Sequence, residues 1–236
     1  MTDRTDDGTI ARIRAEVLAT ARRTVADGLV VGTSGNVSAR IGDMILVTPG
    51  GVPYDRLRPE DVVAVGLDGR PVSGGLAPDG PAPGRLAPTS ELPLHLAVYR
   101  ATDATAIVHT HAVHATAVST LVTELPAIHY MTAALGGPVR VAPYALYGSD
   151  ELARHALTAL DGRTGCLLRN HGTLTYGTTL DQAYDRTAQL EWMCRVWLAA
   201  SGVSGRTPSL LDAGQLAEAG EKLRGYGRRR DRAGRD

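Results

Sequence analysis

Residues 106–119 read AIVHTHAVHATAVS, with His109, Thr110 and His111 at the centre. The apolar lead-in Ala106, Ile107 and Val108 predicts a strand over 106–111, and side chains two apart on a strand share a face. Two imidazoles side by side on a stiff element make half of a metal site. Residues 112–121 then predict a helix, with His114 at its start.

Upstream, residues 90–100 predict a helix whose apolar face holds Leu94, Ala97 and Val98. Thr89 or Ser90 is its expected N-cap. Glu91 falls in the first turn, where the helix dipole favours a carboxylate. His95, one turn on, reads as a packed or surface histidine. Residues 69–88 are rich in Gly and Pro and predict a mobile loop. Strands are expected at 37–41, Met44–Val47 and 62–67, with a turn at Thr48-Pro49-Gly50-Gly51. Before them, the polar turn Thr33, Ser34, Gly35 and Asn36 can aim N–H groups and hydroxyls at an anion. It matches neither the P-loop nor the dinucleotide fingerprint. Residues 9–27 predict an amphipathic helix ended by Gly28.

Downstream, Val139–Ala142 predicts a strand and Ser149 an N-cap for a helix over Asp150–Leu160. Residues 166–169 predict a buried strand that ends at Asn170, His171 and Gly172, and 174–176 continue the sheet. Residues 179–200 predict a long helix capped by Thr178 or Thr179. A short helical pattern at 216–223 precedes a basic tail, 224–236, expected to be solvated or mobile.

The chain has 236 residues, enough for a real core, with 43% hydrophobic and 21% charged content. Its 25 basic and 25 acidic residues balance, so charge gives no reason to expect nucleic acid or an anionic membrane as partner. Cys166 and Cys194 suggest no disulfide framework. The N-terminal residues carry no apolar segment of signal-peptide type, and no later run reaches the roughly 18 apolar residues of a membrane span. A cytoplasmic protein is the expectation.

A catalytic zinc takes three protein ligands and keeps an open position. His109 and His111 supply two, and His171, His129, His155 or His95 could supply the third. His171 suits best, since it ends an apolar strand and precedes a glycine. His114 leaves the strand face of the pair, so a supporting role is expected for it. Glu91 is the carboxylate best placed to accompany the site, and the hydroxyls beside it at a helix N-terminus can bind an anion. Together they point to a phosphorylated substrate, a metal that polarises its oxygens and a carboxylate that moves a proton.

Several blocks carry a resemblance: GTSGNVSAR (32–40), LVTPGGVPYDRL (46–57), APTSELPLHLAVYR (87–100), IVHTHAVHATAVS (107–119), AIHYMTAALGG (127–137), APYALYGSDEL (142–152) and NHGTL (170–174). In this order they resemble the class II aldolase/adducin family, most closely its L-fuculose-phosphate aldolase branch. The resemblance implies one α/β domain, a three-layer αβα fold around a mostly antiparallel sheet. It implies zinc, or another divalent ion, held by His109, His111 and His171, with Glu91 as general acid/base. It places the phosphate on Thr33, Asn36, Gly51, Thr89 and Ser90. A homotetramer with interface active sites is implied, in which Tyr130 crosses from a neighbouring subunit to donate a proton to the leaving aldehyde. Tyr147 and Tyr226 fall where the family places aromatic residues near the aldehyde.

The reaction so implied is reversible cleavage of a ketose 1-phosphate to dihydroxyacetone phosphate and an aldehyde. Lys222 lies in the short helical pattern at 216–223 and no lysine lies in the motifs, which suits chemistry without a Schiff base. The sequence departs from the branch at Gly50, where a hydroxyl residue is common, and in its longer 69–88 loop. A pentulose-phosphate 4-epimerase of the family resembles SSD where this chain has Thr89-Ser90-Glu91. A methylthioribulose-phosphate dehydratase also keeps a Glu and three zinc histidines, and a 5-deoxypentulose-phosphate aldolase needs no change to any residue named here. A non-catalytic, adducin-like scaffold is expected to have lost the ligands that this chain keeps.

Overall fold

The computed structural model describes residues 7–72, 76–77, 80–81 and 86–225. Helix α1 (Asp7–Ala26) leads to a hairpin, β1 (Asn36–Ile41) and β2 (Met44–Val47), and then to β3 (Val63–Gly66). Two short strands, β4 (Leu76–Ala77) and β5 (Gly80–Pro81), pair with each other inside the stretch expected to be only loop. Then follow α2 (Leu92–Ala101), β6 (Ala106–Thr110), α3 (Val113–Leu121), β7 (Glu124–Leu125), β8 (Val139–Ala142), α4 (Asp150–Leu160), β9 (Gly165–Leu168), β10 (Gly172–Gly177), α5 (Leu180–Ser201) and α6 (Ala213–Gly225). Tyr226 and nearly all of the basic tail lie outside the described residues.

Eight strands form one sheet in the order β3-β2-β1-β6-β10-β9-β8-β7. Every neighbouring pair is antiparallel except β8 and β9. The sheet is thus mixed and mostly antiparallel, as expected. Side-chain alternation divides its two faces. Ala106 and Val108 of β6 pack with α1, α3 and α5, whereas Ile107 packs with α2 and α4. Both faces are covered, which gives the three layers and explains why β6 is buried at every position.

Local chemistry set several boundaries where the sequence placed them. Ser149 Oγ accepts from the Leu152 N–H at 3.1 Å at the start of α4, and Thr179 Oγ1 accepts from Gln182 N–H at 3.1 Å at the start of α5. Gly28 follows α1 with φ +70°, the left-handed conformation that a C′ glycine adopts readily. Helix α2 corrects an expectation. Neither Thr89 nor Ser90 caps it; Glu91 occupies the cap position, without a side-chain cap bond. Thr89 Oγ1 instead accepts from the backbone N–H of Glu91 at 3.2 Å, and the Glu91 carboxylate turns toward the histidines. Pro93, in the first helical turn, needs no partner for a missing N–H. Among the described residues no helix is long and apolar enough to cross a membrane.

Candidate metal centre

His109 ends up fully buried at the middle of the sheet, opposite Asn36 on β1 and Leu174 on β10. His111 lies just past β6, on the same side, as the two-residue spacing predicts. His171 comes from the turn between β9 and β10. Two features fix that turn. Asn170 adopts φ 55°, a left-handed conformation that asparagine tolerates better than most residues. Gly172 lies so close to β6 that a Cβ on it would stand 2.0 Å from the Thr110 carbonyl oxygen. Helix α3 holds the same loops together: Ser119 Oγ accepts from Asn170 N–H at 3.0 Å, and Thr116 Oγ1, which donates to the Ala112 carbonyl at 2.8 Å, lies 3.2 Å from the His171 carbonyl.

The outcome is a cluster of Glu91, His109, His111 and His171. His111 Nε2 lies 3.1 Å from His109 Nε2 and 3.1 Å from His171 Nε2. Glu91 Oε2 lies 2.9 Å from His109 Nε2, and Oε1 lies 3.4 Å from His171 Nε2. Tetrahedral zinc with bonds of about 2.0–2.1 Å sets its ligand atoms about 3.3 Å apart, so these separations suit one ion between them.

The donor chemistry agrees. His109 Nδ1 is 2.8 Å from the Thr173 carbonyl, which can only accept, so Nδ1 carries hydrogen and Nε2 offers a lone pair to the cluster. Glu91 Oε1 is buried with no hydrogen-bond partner among the described residues. Imidazole nitrogens and a carboxylate oxygen without a partner, converging on one point, call for a cation at their centre.

Burial, with His109 close by, lowers the pKa of His111 to about 3 and that of His171 to about 4. Both are therefore neutral near pH 7, the form that binds metal. For His109 burial also acts downward, but the Glu91 charge and the Thr173 carbonyl outweigh it and raise the value. For Glu91 burial acts upward, and the imidazoles of His109 and His171 with the Asn36 amide hold the carboxyl far below its usual range.

A cleft of about 440 Å³ opens beside the cluster. Thr33, Asn36, Gly51, Thr89 and Ser90 line it together with Glu91, His111 and His171. Tyr147 lines it too, on a loop brought close by Gly148, whose φ is +75° and on which a Cβ would stand 2.6 Å from the Ser90 carbonyl oxygen. Tyr130 is not among the lining residues; it is 49% exposed and its ring lies 4.3 Å from that of His129. His95, His129, His155 and His114 are outside the cluster. His114 Nδ1 pairs with Glu191 at 2.6 Å. That carboxylate also accepts from the N–H groups of His114 and Ala115, closing the N-terminus of α3, which has no side-chain cap of its own.

Tyr144, Ala145 and Asn170 also line the cleft, and no motif in the sequence assigns them a role. Asn170 was signalled by its place between an apolar strand and His171. Tyr144 carried only the hint of a second phenol in the Tyr147 loop.

Known proteins bear on this geometry. The family described as Class II Aldolase and Adducin N-terminal domain matches residues 15–198. The chain is similar to an L-fuculose phosphate aldolase of Escherichia coli (strain K12), 36% identical over 220 residues that cover 92% of this chain and 97% of the relative. It is also similar to a 5-methylthioribulose-1-phosphate/5-deoxyribulose-1-phosphate aldolase of Rhodospirillum rubrum, 34% identical over 222 residues, 93% of this chain and 95% of that protein. Among solved structures, an L-fuculose 1-phosphate aldolase superposes with a TM-score of 0.82 at 31% identity, covering 90% of this chain and 96% of the other.

Proposed function

The chain belongs to the class II aldolase and adducin family, and we propose that it is a metal-dependent aldehyde-lyase. It reversibly cleaves a ketose 1-phosphate, L-fuculose 1-phosphate or a 5-deoxypentulose 1-phosphate, to dihydroxyacetone phosphate and an aldehyde. The observation that carries this reading is the convergence of three imidazoles on a buried carboxylate whose Oε1 lacks a partner, at the edge of a cleft lined by hydroxyls.

His109, His111 and His171 hold the ion, with Glu91 as a ligand in the resting state. Zinc suits the nitrogen donors and the tetrahedral spacing, and when bound it supplies a Lewis acid for the substrate oxygens. Thr33, Asn36, Gly51, Thr89 and Ser90 form the phosphate site, helped by the N-terminus of α2. Glu91 moves a proton at C3 of the three-carbon fragment: it delivers one after the C3–C4 bond breaks and removes one in the synthetic direction. Tyr147 faces the aldehyde end. Tyr130 acts from a neighbouring subunit of a homotetramer, exchanging a proton with the aldehyde oxygen. Its exposure and its absence from the cleft lining of its own chain support that role. We read the protein as cytoplasmic, and its balanced charge gives no reason to expect a nucleic-acid or membrane partner.

The test is a panel of ketose 1-phosphates (L-fuculose, L-rhamnulose, D-ribulose and 5-deoxyribulose) given to the zinc-loaded protein, with detection of dihydroxyacetone phosphate. Its release from any member supports the aldolase. Conversion of a substrate without its release supports an epimerase or dehydratase instead.

A further inference from the structure

One buried histidine lies outside the metal cluster and the cleft lining. His95 is wholly buried on α2, and both its ring nitrogens have partners. Nε2 lies 2.5 Å from Asn36 Oδ1 and Nδ1 lies 2.7 Å from Ser38 Oγ, which in turn is 2.7 Å from the Tyr99 hydroxyl. Asn36 and Ser38 lie two apart on β1; Glu91, His95 and Tyr99 lie four apart along the start and body of α2. The strand and helix periods therefore bring one file of polar groups against the other.

Every proton in the file can be assigned. Glu91 Oε2 and Thr89 Oγ1 both lie 3.0 Å from Asn36 Nδ2. An ionised carboxylate only accepts, so the amide must turn its NH₂ toward Glu91 and its oxygen toward His95. His95 must then donate from Nε2. Its Nδ1 is the acceptor, Ser38 donates to it, and Tyr99 donates to Ser38. Burial, aided by the proximity of His109, depresses the His95 pKa to about 3 against the pull of Glu91, so the ring stays neutral and keeps one hydrogen.

We propose that His95 is a positioning residue: its Nε2–H fixes the Asn36 amide, which holds Glu91 Oε2 with one N–H and Thr89 Oγ1 with the other. Thr89 Oγ1 also accepts from the Glu91 backbone N–H. With both lone pairs engaged, the Thr89 hydroxyl has only its proton left to offer the cleft. One histidine thus sets the carboxylate at the metal and turns a phosphate-side hydroxyl into a donor. Asn36 then serves the phosphate end through Thr89. The consequence for catalysis rests on the aldolase reading, whereas the hydrogen-bond order does not.

Nitrogen NMR on the labelled, otherwise unmodified protein reads the His95 tautomer directly. A neutral ring protonated on Nε2 is expected; a ring protonated on Nδ1 overturns the proposal. Zinc affinity and thermal stability are then compared for His95→Gln, whose amide nitrogen can stand in for Nε2, and His95→Met, of similar bulk without a donor. The Met variant is expected to bind zinc about ten- to a hundredfold more weakly, the usual cost of losing a group that orients a ligand. The Gln variant is expected to stay within about threefold of the parent. Equal affinities for the two variants overturn the proposal. The tautomer stands as a test if the Met variant does not fold, and neither readout needs turnover, so failure of the aldolase assay is a separate result.

Discussion

Replacing Gly172 with alanine tests whether the spacing between two strands sets the metal site. The added Cβ would stand 2.0 Å from the Thr110 carbonyl oxygen, whereas real Cβ contacts essentially never fall under 3.0 Å. The obstacle is backbone, so no rotamer change relieves it. The start of β10 must retreat from the end of β6 by about 1 Å, the difference between those two distances. His171 precedes residue 172 and His111 follows residue 110, so the retreat separates the two rings whose Nε2 atoms now lie 3.1 Å apart. Metal sites hold their ligand distances within about 0.2 Å, so a shift several times larger strips a ligand or strains the rest. Overpacking of this kind costs about 1–3 kcal/mol of stability, and a chain this size loses about 2–4 °C in Tm per kcal/mol. Zinc affinity should fall at least about tenfold, in line with the loss of well-oriented ligation. Calorimetry with and without zinc measures both terms. A Gly172→Ala protein that melts with the parent and binds zinc equally well refutes the claim that this close approach positions His171.

Glu91→Gln should keep the three imidazoles and bind metal, while turnover drops by about 10²–10⁴, the range for a lost general acid/base; unchanged turnover would remove Glu91 from that role. Tyr130→Phe should slow cleavage of the full sugar more than proton exchange on dihydroxyacetone phosphate, and equal effects would contradict an aldehyde-side role. Acid should destabilise the fold partly through His95. The free side chain titrates near 6.5 and the buried one near 3, so between these values the unfolded chain holds the extra proton and stability falls with pH. The slope is about 1.4 kcal/mol per pH unit for one such proton, so urea titrations of His95→Gln should show a shallower decline below pH 6.5. A decline as steep as the parent's would show that His95 is not the group taking up that proton.

The histidine pair was legible because strand alternation is local: 107, 109 and 111 share a side whatever surrounds them. Ser149 and Thr179 were legible as caps for the same reason, since each serves an N–H three residues on. The start of α2 was misread because its cap depends on distant claims. The Glu91 carboxylate is drawn off by His109, and the Thr89 hydroxyl is held by Asn36, 53 residues away. His95 looked like an ordinary packed histidine, as its partners lie 57 and 59 residues upstream. Glu191 gave no local sign of closing α3, whose N-terminus it meets across 77 residues. Sequence periodicity shows which residues share a face; it does not show which polar atoms on that face are already engaged.

The most direct test of the central claim is a metal titration followed by activity. Chelator-treated protein receives zinc in measured steps, and dihydroxyacetone phosphate release from the best ketose 1-phosphate is read at each step. Release should rise from near zero and saturate at one bound ion per chain, and the same titration of His171→Ala should stay flat. Full release from the metal-free chain, or zinc bound at one per chain with no release from any of the sugars, would contradict a metal-dependent aldolase.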